Sequence, residues 1–420
     1  MKKLSVFLCL LVLSFIFLEA QETDVFDWDW DWDSLFDEPF YDDTTEDEIS
    51  EEFTADAAVT VLSSIKRRGI TFSFSYEFQA GIAPGWDIAP WFFDGNEVFS
   101  WSSGAKMKSG IRLDAQVSEV FRVITVFNIS IPDTFFSLGD FFFDYNILNA
   151  AFIRAGKYEH SWGISPNFNF TNLLSRVPSS SAGGDSYVFR IDVPIGVGGF
   201  QALALTRATI DNISRSDLGF GIKYNLAYRW ADFDFGIFYQ NSMATRGFLS
   251  IKTTLNDTEV YNEWLVAVNT HSDNNFSIAA NIGFVREFLN RRLSLNGELF
   301  FNGEGNSYFY HQETDIKEAN ASPFIEGFNI ALNMLYRFRG KGNPRFFMQM
   351  LYSPMQNSMQ LVPGFRLSPF SNIDIYMAMP VALSSRSGYY YNNTADPNNR
   401  PFCITLLVTL SGNLQTGFYY

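Results

Sequence analysis

Apolar and polar residues alternate strictly in segment after segment of this chain, each segment near ten residues long. Ile70, Phe72, Phe74, Tyr76 and Phe78 alternate with Thr71, Ser73, Ser75, Glu77 and Gln79. Leu218, Phe220, Ile222, Tyr224, Leu226 and Tyr228 alternate with Gly219, Gly221, Lys223, Asn225, Ala227 and Arg229. A period of two over that length describes an extended strand with one apolar face and one polar face. The pattern predicts strands near 69–81, 104–117, 120–131, 138–148, 151–159, 186–193, 198–207, 217–229, 232–240, 246–255, 259–270, 275–285, 291–302, 326–338, 345–352, 358–367, 372–383 and 402–412. About eighteen such strands, with sixteen as the alternative count, predict an all-β, transmembrane, antiparallel up-and-down β-barrel. In such a barrel lipid meets the apolar face and water fills the space behind the polar one.

The connections test that assignment, because barrels of this class pair long outer loops with short periplasmic turns. Residues 82–103 are long and aromatic, with Trp86, Trp91, Phe92, Phe93 and Trp101, whereas the next connection, at Glu119, is very short. The same contrast sets the excursions at 160–185, 303–325 and 384–401 against tight corners at Asn149, Val193–Val197 and Ala231. An even strand number and a periplasmic N-terminus follow. The loop from Ser161 to Asp185 contains Asn167, Phe168, Asn169, Phe170, Arg176 and Ser179–Ser181. It is long enough to fold inward and narrow the lumen, or to lie on the outer surface, and its sequence leaves both open.

Residues 1–20 read as a cleaved secretory signal. Lys2 and Lys3 precede the apolar run Leu4–Phe17, and Leu18-Glu19-Ala20 forms a cleavage site before Gln21. Cys9 leaves with that signal, so Cys403 stands alone and an intrachain disulfide is excluded. The formal net charge of −16 is concentrated in one place: residues 21–56 carry sixteen acids and no base. The chain therefore divides into the signal (1–20), an acidic Asp/Trp-rich periplasmic tail (21–68) and the barrel (69–420). Within the tail, Asp27-Trp28-Asp29-Trp30-Asp31-Trp32-Asp33 would give a strand one acidic and one aromatic face. Such a strip suits a plug or a periplasmic contact, while like-charge repulsion favours disorder. Ile49, Phe53, Ala57, Val61 and Ile65 trace a short helix beyond it.

The polar parity directs Lys108, Arg112, Arg122, Arg154, Arg190, Lys223, Arg229, Arg292, Arg337 and Arg366 toward the lumen as pore-lining residues. The acids of the same parity are Glu77, Asp114, Asp192, Glu263, Glu298 and Asp374. An excess of wall cations gives a weak preference for anions. Pairs such as Arg112/Asp114 and Arg190/Asp192 would instead satisfy one another. The three histidines, His160, His271 and His311, fall near strand ends or in loops and form no recognisable catalytic set with Ser161 or Asp273. The expectation is a non-enzyme with no cofactor, no metal and no nucleic-acid partner.

The segment Ile153-Arg154-Ala155-Gly156-Lys157-Tyr158-Glu159-His160-Ser161-Trp162-Gly163 resembles the R-x-G-K…W-G strand-and-rim motif of bacterial porin-like families. The end of the chain, with Ile404, Leu406, Val408, Leu410, Leu414, Phe418 and Tyr420 on one parity, is similar to the signal that the outer-membrane barrel assembly machinery reads. Abundant Phe, Tyr, Asn and Ser behind an acidic leader resemble spirochaete outer-membrane proteins. These resemblances imply an outer-membrane channel for passive diffusion of small hydrophilic solutes, seated in outer-membrane lipids, with a homo-oligomer as one arrangement. The alternatives are a FadL-like uptake barrel for hydrophobic ligands with an N-terminal plug, and a surface-exposed adhesin or structural barrel.

Overall fold

The computed structural model describes residues 69–86, 99–132, 136–158, 160–171, 187–206, 218–240, 244–268, 276–303, 327–355, 357–384 and 402–419. The signal segment, the acidic tail with Asp27–Asp33, His271 and His311 lie outside the described residues. Period-two alternation becomes β1 (Gly69–Trp86), β2 (Phe99–Ser118), β3 (Phe121–Ile131), β4 (Ser137–Ile147), β5 (Ala151–Lys157) and β6 (Tyr187–Ile195). It continues through β7 (Gly198–Thr206), β8 (Gly219–Tyr228), β9 (Ala231–Gln240), β10 (Thr245–Leu255), β11 (Thr258–Val268) and β12 (Phe276–Phe288). Then come β13 (Leu293–Asn302), β14 (Gly327–Arg337), β15 (Arg345–Ser353) and β16 (Ser358–Phe370). The last two strands are each interrupted once: β17 is Ile373–Ala378 with Val381–Ser384, and β18 is Phe402–Cys403 with Thr405–Tyr419. The break in β17 falls at Pro380, which has no N–H to give the ladder. Pairing bridges it through Met379 N–H to Pro363 O (2.9 Å) and Cys403 N–H to Pro380 O (3.3 Å).

Each strand pairs antiparallel with the next, and β1 pairs with β18 in the register Phe74↔Leu414 and Ala80↔Val408. The sheet therefore closes as an eighteen-stranded barrel and leaves no edge. Strands β1 and β2 span 18 and 20 residues, longer than alternation predicted. About ten tilted residues cross a bilayer, so these two project beyond it. The two- and three-residue turns gather at one end: Glu119–Val120, Leu148–Ala150, Gly196–Val197, Arg229–Trp230 and Asn256–Asp257. Asn256 and Asp257 both have positive φ (48° and 61°), the geometry that matches the twist of a two-residue hairpin. The long connections all lie at the opposite end.

Burial runs opposite to that of a soluble sandwich. On β14, Phe328 points outward and is exposed, whereas Asn329, Ala331 and Asn333 point inward and are buried. Ile222, Ile237, Ile282 and Trp264 add to the apolar exterior, and Gln240, Ser250, Asn281 and Gln349 to the buried polar interior. With each strand paired to two neighbours around the ring, this exterior is compatible with hydrocarbon. The main buried apolar cluster lies inside the barrel and includes Tyr158, Trp162, Phe168 and Phe170, which belong to no strand.

Candidate functional site

Past Lys157 the chain turns into the barrel and crosses its inner wall from β5 to β14. The conformation is set by glycine: Gly163 has φ +100°, and a Cβ there would collide with Asn169 Oδ1 and Thr171 Oγ1. Tyr158 packs on Phe142 (centroids 5.3 Å apart), and the Arg154 guanidinium lies 4.5 Å over the Phe142 ring. Trp162 is 1% exposed and packs against Phe238 (6.5 Å) and Phe248 (5.5 Å). Its ring also covers Gly221, where a Cβ would leave it no room. Phe168 and Phe170 pack on Phe300 at 5.0 and 4.8 Å. Of the two placements left open by the sequence, the loop's first part, Tyr158–Thr171, takes the inward one; 172–186 lie outside the described residues.

Two carboxylates anchor this segment. Glu263 Oε1 accepts from Ile164 N–H (3.0 Å), Thr171 Oγ1 (2.6 Å) and Ser250 Oγ (2.9 Å). Glu298 accepts from Ser165 Oγ (2.5 Å), Asn281 Nδ2 (2.7 Å), Asn167 N–H (3.3 Å) and Tyr261 OH (3.3 Å). Asn333 Nδ2 donates to Asn167 Oδ1 at 2.6 Å. Glu263 and Glu298 are 0% and 3% exposed, so the segment seals them.

The arc β2–β9 carries a row of partly exposed ion pairs. Arg122 grips Asp114 through Nε (2.7 Å) and Nη2, and Arg112 reaches the same carboxylate at 3.7 Å. Arg154 holds Asp144 (2.6 Å), Arg190 holds Asp192 (2.7 Å) and Lys223 holds Asp234 (3.3 Å). A cavity of about 370 Å³ opens here, lined by Arg122, Asp144, Arg154, Arg190, Asp192 and Asn225 among others. His160 joins the inserted segment to the row. The Arg190 guanidinium only donates, so at 3.3 Å His160 Nδ1 accepts from it, and Nε2–H faces Gln201 Oε1 at 3.2 Å. Gln201 also accepts from Trp162 Nε1 (2.7 Å) and donates to Asp192 (2.7 Å). Burial, reinforced by the charge of Arg190, lowers the His160 pKa to about 4, which keeps the ring neutral.

Most of the sequence-selected residues thus meet partners on one face. Arg366 pairs with Asp374 (3.1 Å), and Arg337 lies 3.9 Å from Glu287. Lys108 is exposed opposite Glu77. Two depart from expectation. Arg229 sits exposed in the turn after β8, and Arg292 sits half-buried in the turn before β13, because the strands end one residue short of each. Asp144 and Asp234 were missed, and each holds a cation. For Asp234 the alternation Asp232-Phe233-Asp234-Phe235 was the available signal. Asp144 follows Phe141-Phe142-Phe143, which hides the period.

No protein-family model matches the chain, and no curated protein does. Among solved structures it is similar to Pseudomonas aeruginosa OpdO, with TM-score 0.52 and 12% identity over 82% of this chain and 97% of that one. It is also similar to Pseudomonas aeruginosa OpdQ (0.52, 9%, 82% and 98%). Acinetobacter baumannii OccAB2 gives 0.51 and 8% over 82% and 98%. These neighbours are outer-membrane porins of the Occ/Opd group, and at such identities the likeness is one of fold.

Proposed function

We propose that this chain is an outer-membrane channel through which small hydrophilic solutes pass by diffusion. One observation carries the reading: an inward-folded segment narrows a large closed barrel whose remaining wall offers partly exposed ion pairs. An eighteen-stranded ring encloses more space than its own side chains fill. Residues 1–20 act as the export signal and 21–68 as a periplasmic tail. The apolar exterior contacts outer-membrane lipids, and β18 is the strand offered to the assembly machinery. The solved porins of the same fold support the assignment.

Charge selectivity follows from how the wall cations are matched. Arg122, Arg154, Arg190 and Lys223 each have a carboxylate, which cancels most of the anion preference that a residue count implies. A weak surplus remains where Arg112 and Arg122 share Asp114, with the Arg112 side chain 45% exposed. Purified, refolded protein in a planar bilayer should give discrete conductance steps and a reversal potential slightly favouring chloride. Substituting Arg112→Gln should abolish that bias. A folded barrel that gives no conductance over a wide voltage range would overturn the channel reading.

A further inference from the structure

We propose that the inserted segment is locked to the wall by a hard divalent cation, of the calcium class, bound at Glu263. Two carboxylates lie sealed side by side here, and every hydrogen bond that reaches them among the described residues comes from a neutral donor. An ionised carboxylate removed from water without a counter-charge is costly, so buried charges are paired or hold metals.

One oxygen shows where the missing charge belongs. Glu263 Oε1 accepts three hydrogen bonds, yet Glu263 Oε2 is buried with no partner at all. A second acceptor close by is in the same condition: Asn169 Oδ1, on the inserted segment, is also buried and unpartnered. The two belong to one locality. Asn169 Oδ1 and Thr171 Oγ1 converge on the position that a Cβ of Gly163 would fill, and Thr171 Oγ1 donates to Glu263 at 2.6 Å. The adjacent residues Ile164 and Ser165 bond Glu263 and Glu298 respectively, which holds the second carboxylate beside the first. Electron-poor partners are what two orphaned oxygens next to a net negative pair require.

The donor set selects the ion. No group of three or more His, Cys, Asp or Glu suited to a metal occurs among the described residues, so a zinc-type site is not at issue. Carboxylate and amide oxygens are calcium ligands, in flexible geometry at roughly 2.3–2.6 Å, with water completing the shell. Such an ion would bridge the β11 wall to the segment through Glu263 and Asn169, with Glu298 supplying charge from β13.

The test is calcium binding by the folded, detergent-solubilised full chain. Equilibrium dialysis against radiolabelled calcium should show one tight site per chain more in the wild type than in Glu263→Gln. The acidic residues 22–56 are common to both, so their weaker binding cancels in the difference. Chelation should expose the segment to protease in the wild type but change nothing in Glu263→Gln, and Asn169→Ala should weaken binding at least tenfold. Equal calcium binding by wild type and both variants would overturn the proposal. So would segment protection that ignores chelation and rises on acidification, since a proton on Glu263 would then be the missing charge. Conductance in the same preparations is a separate readout, because an open channel without a calcium difference leaves the transport reading standing.

Discussion

On β4–β9 the interior carboxylates Asp144, Asp192 and Asp234 each meet a lysine or arginine and stay partly hydrated. On β11–β13 the interior carboxylates Glu263 and Glu298 meet hydroxyls, amides and backbone N–H groups, and are sealed. The two arcs obey the same alternation. What separates them is a dozen residues of loop, which cover one arc and border the other. Ion pairs of the first kind are still reached by water, and they mainly shape the local potential along the wall. Buried groups of the second kind, held by several hydrogen bonds each, contribute order, because breaking any one of those bonds leaves a further polar group stranded.

The largest effect should come from removing what holds the loop over the sealed arc. Truncating Trp162→Ala deletes a fully buried ring that packs on Phe238 and Phe248 and bonds Gln201. Loss of a buried Trp costs about 3–5 kcal/mol. Here that loss falls on docking of the segment, because the barrel ladder itself is untouched. Conductance should rise several-fold and protease should cut between 158 and 171, while the sheet remains folded by circular dichroism. Unchanged conductance with a cleavable segment would show that the loop does not narrow the pore. Changing Gly163→Ala should act in the same direction and less strongly, since strain at a positive φ costs on the order of 1–3 kcal/mol.

The exposed arc should respond in selectivity instead. The side chains of Arg154 and Asp144 are 28% and 22% exposed, so either substitution strands a partly buried partner and should cost about 1–3 kcal/mol. Replacing Asp144→Asn should shift the reversal potential toward anions and Arg154→Gln toward cations, by similar amounts. Shifts of the same sign in both variants would mean that the pair does not face the permeating ion.

The same contrast explains what the sequence disclosed. Strand number follows from a local period of two, which any ten-residue window records, and the long-end, short-end alternation from the lengths of the connections. Interior aromatics broke that pattern at Phe142, Phe238, Phe248 and Phe300, and each lies beneath the inserted segment. Local failure of a binary pattern is where a functional contact is to be sought. The motif residues Arg154, Gly156, Trp162 and Gly163 were legible as a unit, although their job, launching a loop inward, depends on partners up to nine strands away. The mutual neutralisation of Arg154 and Asp144, or of Lys223 and Asp234, required the register of neighbouring strands. A one-residue error in register would move every such side chain to the other face.

The smallest expected effect lies at the junction of the two arcs. His160 belongs to the segment but bonds Arg190 and Gln201 on the exposed row. With its pKa lowered to about 4 from 6.5, the docked imidazole binds fewer protons than a released one throughout that interval. Docking is therefore strongest above pH 6.5, weakens as pH falls toward 4, and becomes independent of pH below that. One proton limits the change to about tenfold per pH unit in the docked-to-released ratio. Protease sensitivity of the segment should climb between pH 6.5 and pH 4.5 in the wild type, and the His160→Gln variant should flatten the part of the slope that this ring supplies. A slope of the opposite sign would mean that a carboxylate, not His160, governs the loop's response to acid.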